Sequence, residues 1–182
     1  MRWLYLTILT VAIVLLSTTP LHVSMGIGPI SYRPALKAMI LDYTEQVSGK
    51  RDEPLADAIL DAARGDINMV FCMVAIAHQE THFKPRRGRK GERGYFQVMP
   101  WVAHSLYPHL TLKQTTQLLE NDVKFQAETV RRILVQHYER FTSWGPTLFA
   151  YNHCHKYVQS VLLKKKILDK HFKTWYTGEY HG

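Results

Sequence analysis

The sequence is short of acidic residues: 15 Asp and Glu stand against 23 Lys and Arg, a formal charge of +8. So basic a chain favours a polyanionic partner, such as cell-wall carboxylates, anionic lipid or nucleic acid, and charge by itself does not choose among them. Cysteine is scarcer still, with two in 182 residues, and neither cysteine nor histidine takes a zinc-finger spacing. No recognisable nucleic-acid module is present, so no nucleic acid is expected as partner. Alternating strand patterns are missing apart from a short candidate hairpin within 86–98, and no internal repeat or low-complexity tract appears; this leaves a mainly helical, non-repetitive chain. No apolar run reaches the roughly 20 residues of a full membrane span. What remains is an ordinary globular composition, 46% hydrophobic, long enough for one domain with a proper core plus a leader.

The leader is residues 1–25. Arg2 precedes an apolar stretch from Trp3 to Leu16, broken only by Thr7 and Thr10, and Ser17-Thr18-Thr19-Pro20 ends it. A positive start, an apolar centre and a polar break form a targeting pattern. Either a signal peptide is removed near residues 19–26, the preferred reading, or residues 3–16 stay as an N-terminal anchor in the inner membrane. Both place the domain in an oxidising periplasmic or extracytoplasmic space. Residues 26–34 read as a linker whose Pro34 suits a first helical turn, and 35–176 as the folded domain. Leu36, Met39, Ile40 and Tyr43 make one helical stripe. Asp52 caps the next helix, Gly65 closes it, and Leu55, Ile59, Leu60 and Ala63 face the core. Thr111–Glu120 and Asp122–Phe141 are two further helices. Trp144-Gly145-Pro146 reads as a turn, Thr147–Asn152 as the start of another helix, and 156–182 as a basic helix with Lys164-Lys165-Lys166 on a solvated face.

The stretch that carries chemistry is 66–101. Asp66 is a plausible N-cap, and the apolar run after it meets no Gly or Pro until Pro85. Met69, Met73 and Ile76 share one face, and four residues beyond Ile76 that face carries Glu80. An acid continuing an apolar stripe is anomalous, because a buried carboxylate without a partner is costly and responds by raising its pKa. That is the state a general acid needs. The competing reading is an acid that merely ends the helix, turned to solvent or paired with the arginines that follow. Those cations fill the loop Lys84–Arg93, which reads equally as a solvated charge run and as a trap for carboxylates. Trp101 reads as core.

After Glu80 come Thr81 and Phe83, then Gly94-Tyr95-Phe96-Gln97-Val98-Met99-Pro100, and far downstream Phe149-Ala150-Tyr151-Asn152. A helix-ending glutamate followed by Ser or Thr and an aromatic, a Gly-x-x-Gln-x-Met-Pro stretch and an Ala-Tyr-Asn segment, in that order, resemble the lytic transglycosylases of the soluble (SLT) type. The resemblance covers roughly residues 55–160, with its core motifs in 66–155. It implies a mainly α, lysozyme-like single domain, here of about seven helices. It also implies cleavage of the β-1,4 bond between N-acetylmuramic acid and N-acetylglucosamine in peptidoglycan strands. Glu80 is then the catalytic residue, and Thr81, Phe83, Tyr95, Phe96, Gln97, Met99, Tyr151 and Asn152 are substrate-binding, with the Tyr151 hydroxyl reaching the acid or the substrate's N-acetyl group. The chain departs from the family at His153-Cys154, where Ala-Gly is usual, and in a slightly shorter loop that carries arginines.

By family analogy Glu80 acts as acid and then as base, the substrate's N-acetyl group assists, and the C6 hydroxyl closes onto C1 to give a 1,6-anhydro end. A hydrolytic muramidase is the first alternative; it wants a second carboxylate, and Glu92 is the nearby acid. A non-catalytic wall-binding protein is the second. Cys72 and Cys154 are a candidate disulfide if the two motifs meet at one site. His78 and His82 flank Glu80 as in half of a zinc-protease motif, but Gln79 stands where that motif needs Glu, so no metal or other cofactor is expected. Wall opening for a secretion or conjugation machine or a phage fits the compact size.

Overall fold

The computed structural model describes residues 32–176. The leader, its candidate cleavage or anchor segment and most of the linker lie outside the described residues. Among those described, eight helices and one two-stranded hairpin follow in the order α1 (Arg33–Ser48), α2 (Glu53–Ala63), α3 (Ile67–Thr81), β1 (Arg86–Arg87), β2 (Arg93–Gly94), α4 (Pro100–Leu106), α5 (Leu112–Asn121), α6 (Val123–Phe141), α7 (Trp144–Asn152) and α8 (His155–Tyr176). No described helix is long and apolar enough to cross a membrane.

Local chemistry sets the helix starts. Asp52, Asp66 and Asp122 each accept the backbone N–H three residues on, and Thr111 forms a reciprocal capping box with Gln114. Each cap satisfies an N–H that the helix itself leaves orphaned, worth about 1 kcal/mol. The helix count exceeds the expected seven through α4. It is too short to show a 3.6-residue period, and it forms because Pro100 at its first turn is already in helical φ and Ala103 is fully buried. Trp144-Gly145-Pro146 is not a turn. It is the first turn of α7, where the missing N–H of proline costs nothing.

Helix α3 is the axis of the core. Val70 to Ala77 are buried on every face, as a helix apolar all round must be. Helices α2, α6 and α8 pack around it, and α7 bridges α6 and α8. Phe71 meets Phe172 of α8 edge-on at 5.8 Å, and Leu119, Leu134, Leu148 and Leu168 close the remaining volume. Each such fully buried side chain contributes roughly 2 kcal/mol of apolar transfer. The lysine run of α8 is not wholly solvated: half-buried Lys164 donates to Gln79 Oε1 at 2.8 Å and to Ser160 Oγ at 2.7 Å, stitching α8 to the end of α3. Burial lowers its pKa.

Candidate active site

Helix α3 ends at Thr81, so Glu80 sits in its last turn, where the all-apolar core stops and the loop begins. The side chain opens into a cleft of about 950 Å³. The hairpin forms one part of its lining, through Arg86, Arg87, Arg89 and Glu92. Met99 and Trp101 of the following segment form another, and Gln136, His137, Tyr151, Asn152 and His153 come from α6, α7 and the residue after it. The carboxyl is partly buried, and burial pushes its pKa from 4.5 up to about 7. The nearby charge of Glu92 adds to the rise, while Tyr157, Asn152 and Arg86 oppose it.

Those opposing groups come from three elements. Asn152 Nδ2, at the C-terminal end of α7, donates to Glu80 Oε1 in a long bond of 3.5 Å. Arg86 donates to the Glu80 backbone carbonyl at 3.0 Å, which fixes the last turn of α3 to the hairpin. Tyr157, on α8, favours the ionised carboxylate, yet its buried hydroxyl makes no hydrogen bond of ordinary geometry among the described residues. A buried hydroxyl left in that state costs about 1–3 kcal/mol. It lies beside the Glu80 carboxyl, whose ionised form it favours.

The other motif residues divide by what they touch. Met99, Tyr151 and Asn152 line the cleft, as does Gln97. Tyr151 does not donate to Glu80; its hydroxyl goes to the Phe96 carbonyl at 2.8 Å, so it ties α7 to the Gly-Tyr-Phe-Gln segment. Gln97 has φ +50°, and its amide donates to the carbonyls of Arg86 and Gly94, both at 2.8 Å. Its donors therefore hold the hairpin and are not free for a sugar. Thr81 is buried and shares its hydroxyl between the carbonyls of Ala77 and Tyr95, at 3.1 and 2.9 Å. Tyr95 donates to Asp52 Oδ2 at 2.6 Å, and Phe96 is fully buried. Phe83 is buried edge-on against Tyr43. These four side chains pack within the fold and are not part of the cleft lining.

Behind the acid, His78 Nδ1 pairs with the Tyr43 hydroxyl at 2.8 Å. Burial pushes its pKa down to about 4, so the imidazole is neutral at pH 7. Among the described residues no group of three or more His, Cys, Asp and Glu is placed to hold a metal ion. The candidate disulfide is not formed: Cys72 is fully buried in α3, its thiol pKa raised by burial, while Cys154 is exposed between α7 and α8, and both are free. Among the described residues Glu92 makes no ion pair with an arginine; its Oε2 accepts the Lys90 backbone N–H at 3.0 Å.

Two residues at the site escaped the sequence. Trp101, read as core, is 63% exposed and lines the cleft, because α4 turns Ala103 inward and Trp101, two residues earlier, lies on the opposite side of the helix. Tyr157 lies in a segment read only as a basic helix. The signal that could have found it is the Tyr157-Val158 pair on the buried face of that helix, a few residues past Tyr151-Asn152.

No curated protein and no solved structure matches the chain. One family model does, described as the transglycosylase SLT domain, and it matches residues 57–172, from α2 through nearly all of α8 and across every element of the cleft. With more than half of the chain covered by that model and a mainly helical fold around a helix-end glutamate, the protein belongs to the transglycosylase SLT domain family, whose lytic transglycosylase-type activity degrades peptidoglycan.

Proposed function

We propose that this chain cleaves the β-1,4 bond between N-acetylmuramic acid and N-acetylglucosamine without water, leaving a 1,6-anhydro-muramyl end. The observation that carries the reading is Glu80: a carboxyl at the wall of a large cleft, protonated by burial up to about pH 7 and faced by Asn152 and Tyr157. The protonated carboxyl donates to the glycosidic oxygen as the C1–O bond breaks. The carbonyl oxygen of the muramyl N-acetyl group takes the vacated position on C1. Glu80, now ionised and steadied by its two polar neighbours, accepts the C6 hydroxyl proton, and O6 displaces the acetamido oxygen from C1. The proton that Glu80 gave is returned, and no water is consumed. A pKa near neutrality suits a group that must serve both as acid and as base. Trp101 offers a flat apolar face for sugar C–H groups, and Met99 a polarisable wall. The targeting pattern of residues 1–25 would deliver the domain to the wall.

Glu92 favours a second reading, hydrolysis by a muramidase, because it lines the same cleft and its charge reaches Glu80. Mass spectrometry of muropeptides released from purified peptidoglycan separates the two. An anhydro end is lighter by one water than a reducing end. The expected product is the anhydro form, and Glu80→Gln is expected to fold and release nothing. Reducing ends as the main product would overturn the non-hydrolytic mechanism. A folded Glu80→Gln variant that retains substantial release would overturn the role of Glu80.

A further inference from the structure

The cleft carries an arginine that neither the fold nor the proposed chemistry uses. The hairpin turn places Arg89 and Lys90 at its tip, closed by Gly88 N–H to the Glu92 carbonyl at 2.8 Å. Its other arginines are committed. Arg87 and Arg93 pair with Glu120 at 2.9 and 2.6 Å, and Arg86 donates to the Glu80 carbonyl. Arg89 makes no ion pair among the described residues, is exposed, and lines the cleft. Lys84 and Lys90 also make no ion pair among the described residues, but they stand outside the lining. Glu92, the acid nearest along the chain, gives its Oε2 to the Lys90 backbone N–H.

The tip is held in place. Gln97 donates to the Arg86 and Gly94 carbonyls and packs so tightly under Gly88 that a Cβ there would lie 2.6 Å from Gln97 Oε1. A guanidinium on a pinned turn loses less freedom on binding than one on a loose loop, and its planar fork matches a carboxylate. On the reading that the cleft takes glycan strands, the anion that lies alongside is a carboxylate attached to the muramyl sugar. We propose that Arg89 binds that carboxylate at the rim of the cleft and so selects muramyl-containing strands over neutral N-acetylglucosamine polymers. The inference rests on the proposed function for the identity of the strand. The carboxylate is either the lactyl group of a strand stripped of peptide or an acidic residue of the stem peptide.

Binding tests this apart from catalysis. The full-length Glu80→Gln protein and its Glu80→Gln/Arg89→Ala derivative are titrated with three soluble ligands: peptide-bearing strands, peptide-stripped strands and a neutral N-acetylglucosamine oligomer. A charge-assisted pair at a partly solvated rim predicts about a tenfold loss on the carboxylate-bearing strands at low salt, shrinking at high salt, with no change for the neutral oligomer. Arg89→Lys should recover part of the loss. A loss confined to peptide-stripped strands assigns the lactyl carboxylate, which is an amide wherever the peptide is attached; a loss confined to peptide-bearing strands assigns the peptide, and a loss on both shows that Arg89 takes either carboxylate. Equal losses on all three ligands, or no loss on any, overturn the proposal. The readout needs no turnover, so a wild-type protein that releases no muropeptide sinks the enzymatic reading alone.

Discussion

Replacing Glu80 by glutamine should stabilise the protein at alkaline pH and leave it nearly unchanged in acid. The ordinary carboxyl pKa of 4.5 is pushed up to about 7 in the fold, chiefly by burial. Between those values the folded state holds a proton that the unfolded state has released, so stability falls as pH rises through the interval. Below pH 4.5 both states are protonated and the penalty vanishes; above pH 7 both are ionised and it is complete. A rise of that size corresponds to about 3 kcal/mol. Glutamine carries no charge to bury, so the stability difference between variant and wild type should grow by about 3 kcal/mol from pH 4 to pH 8. Urea denaturation of the two full-length proteins at several pH values measures it, with the midpoint and slope fitted together. Comparing the difference across pH cancels any change in packing between the two side chains. A difference that stays flat to within about 1 kcal/mol would refute burial as the force acting on Glu80, given that each pKa unit is worth about 1.4 kcal/mol. Tyr157→Phe sharpens the test. It removes a hydroxyl that favours the ionised carboxylate, so the pKa should rise further and the alkaline limb of the cleavage profile should move to higher pH.

Gly94→Ala should destabilise the fold by about 2–4 kcal/mol in thermal or denaturant unfolding, because φ there is +78° and a Cβ would press on Gln126 Oε1 and lie 2.9 Å from the Leu119 carbonyl. Gly49→Ala, at φ +79° with nothing within 4 Å, should cost only about 1 kcal/mol. Trp101→Ala should weaken glycan binding several-fold while stability moves by less than about 0.5 kcal/mol, since the indole is mostly exposed; an unfolding shift much larger than this would mean that the ring packs as core. In the native protein a maleimide should label Cys154 within minutes and spare Cys72, whose buried, high-pKa thiol should react only on denaturation, as counted by intact mass.

The sequence by itself determined the helices that announce themselves locally. Aspartates and a threonine bond to an N–H three residues away, and that contact survives any tertiary arrangement. It also singled out Glu80, because an acid in the register of an apolar stripe is visible without coordinates. The tertiary structure decided what the polar groups around that acid do. Tyr157 reaches Glu80 only because α8 packs along α3, and half-buried Lys164, read as solvated, is part of that packing. Tyr151 spends its hydroxyl on the Phe96 carbonyl and Gln97 its amide on the hairpin, contacts between segments up to 55 residues apart. Trp101 faces the cleft because burying Ala103 sets the rotation of a helix too short to show a period. A hydrogen bond within one turn is written into neighbouring residues. A side chain's choice between core, backbone and cleft depends on which distant surface arrives opposite it, and composition does not encode that encounter.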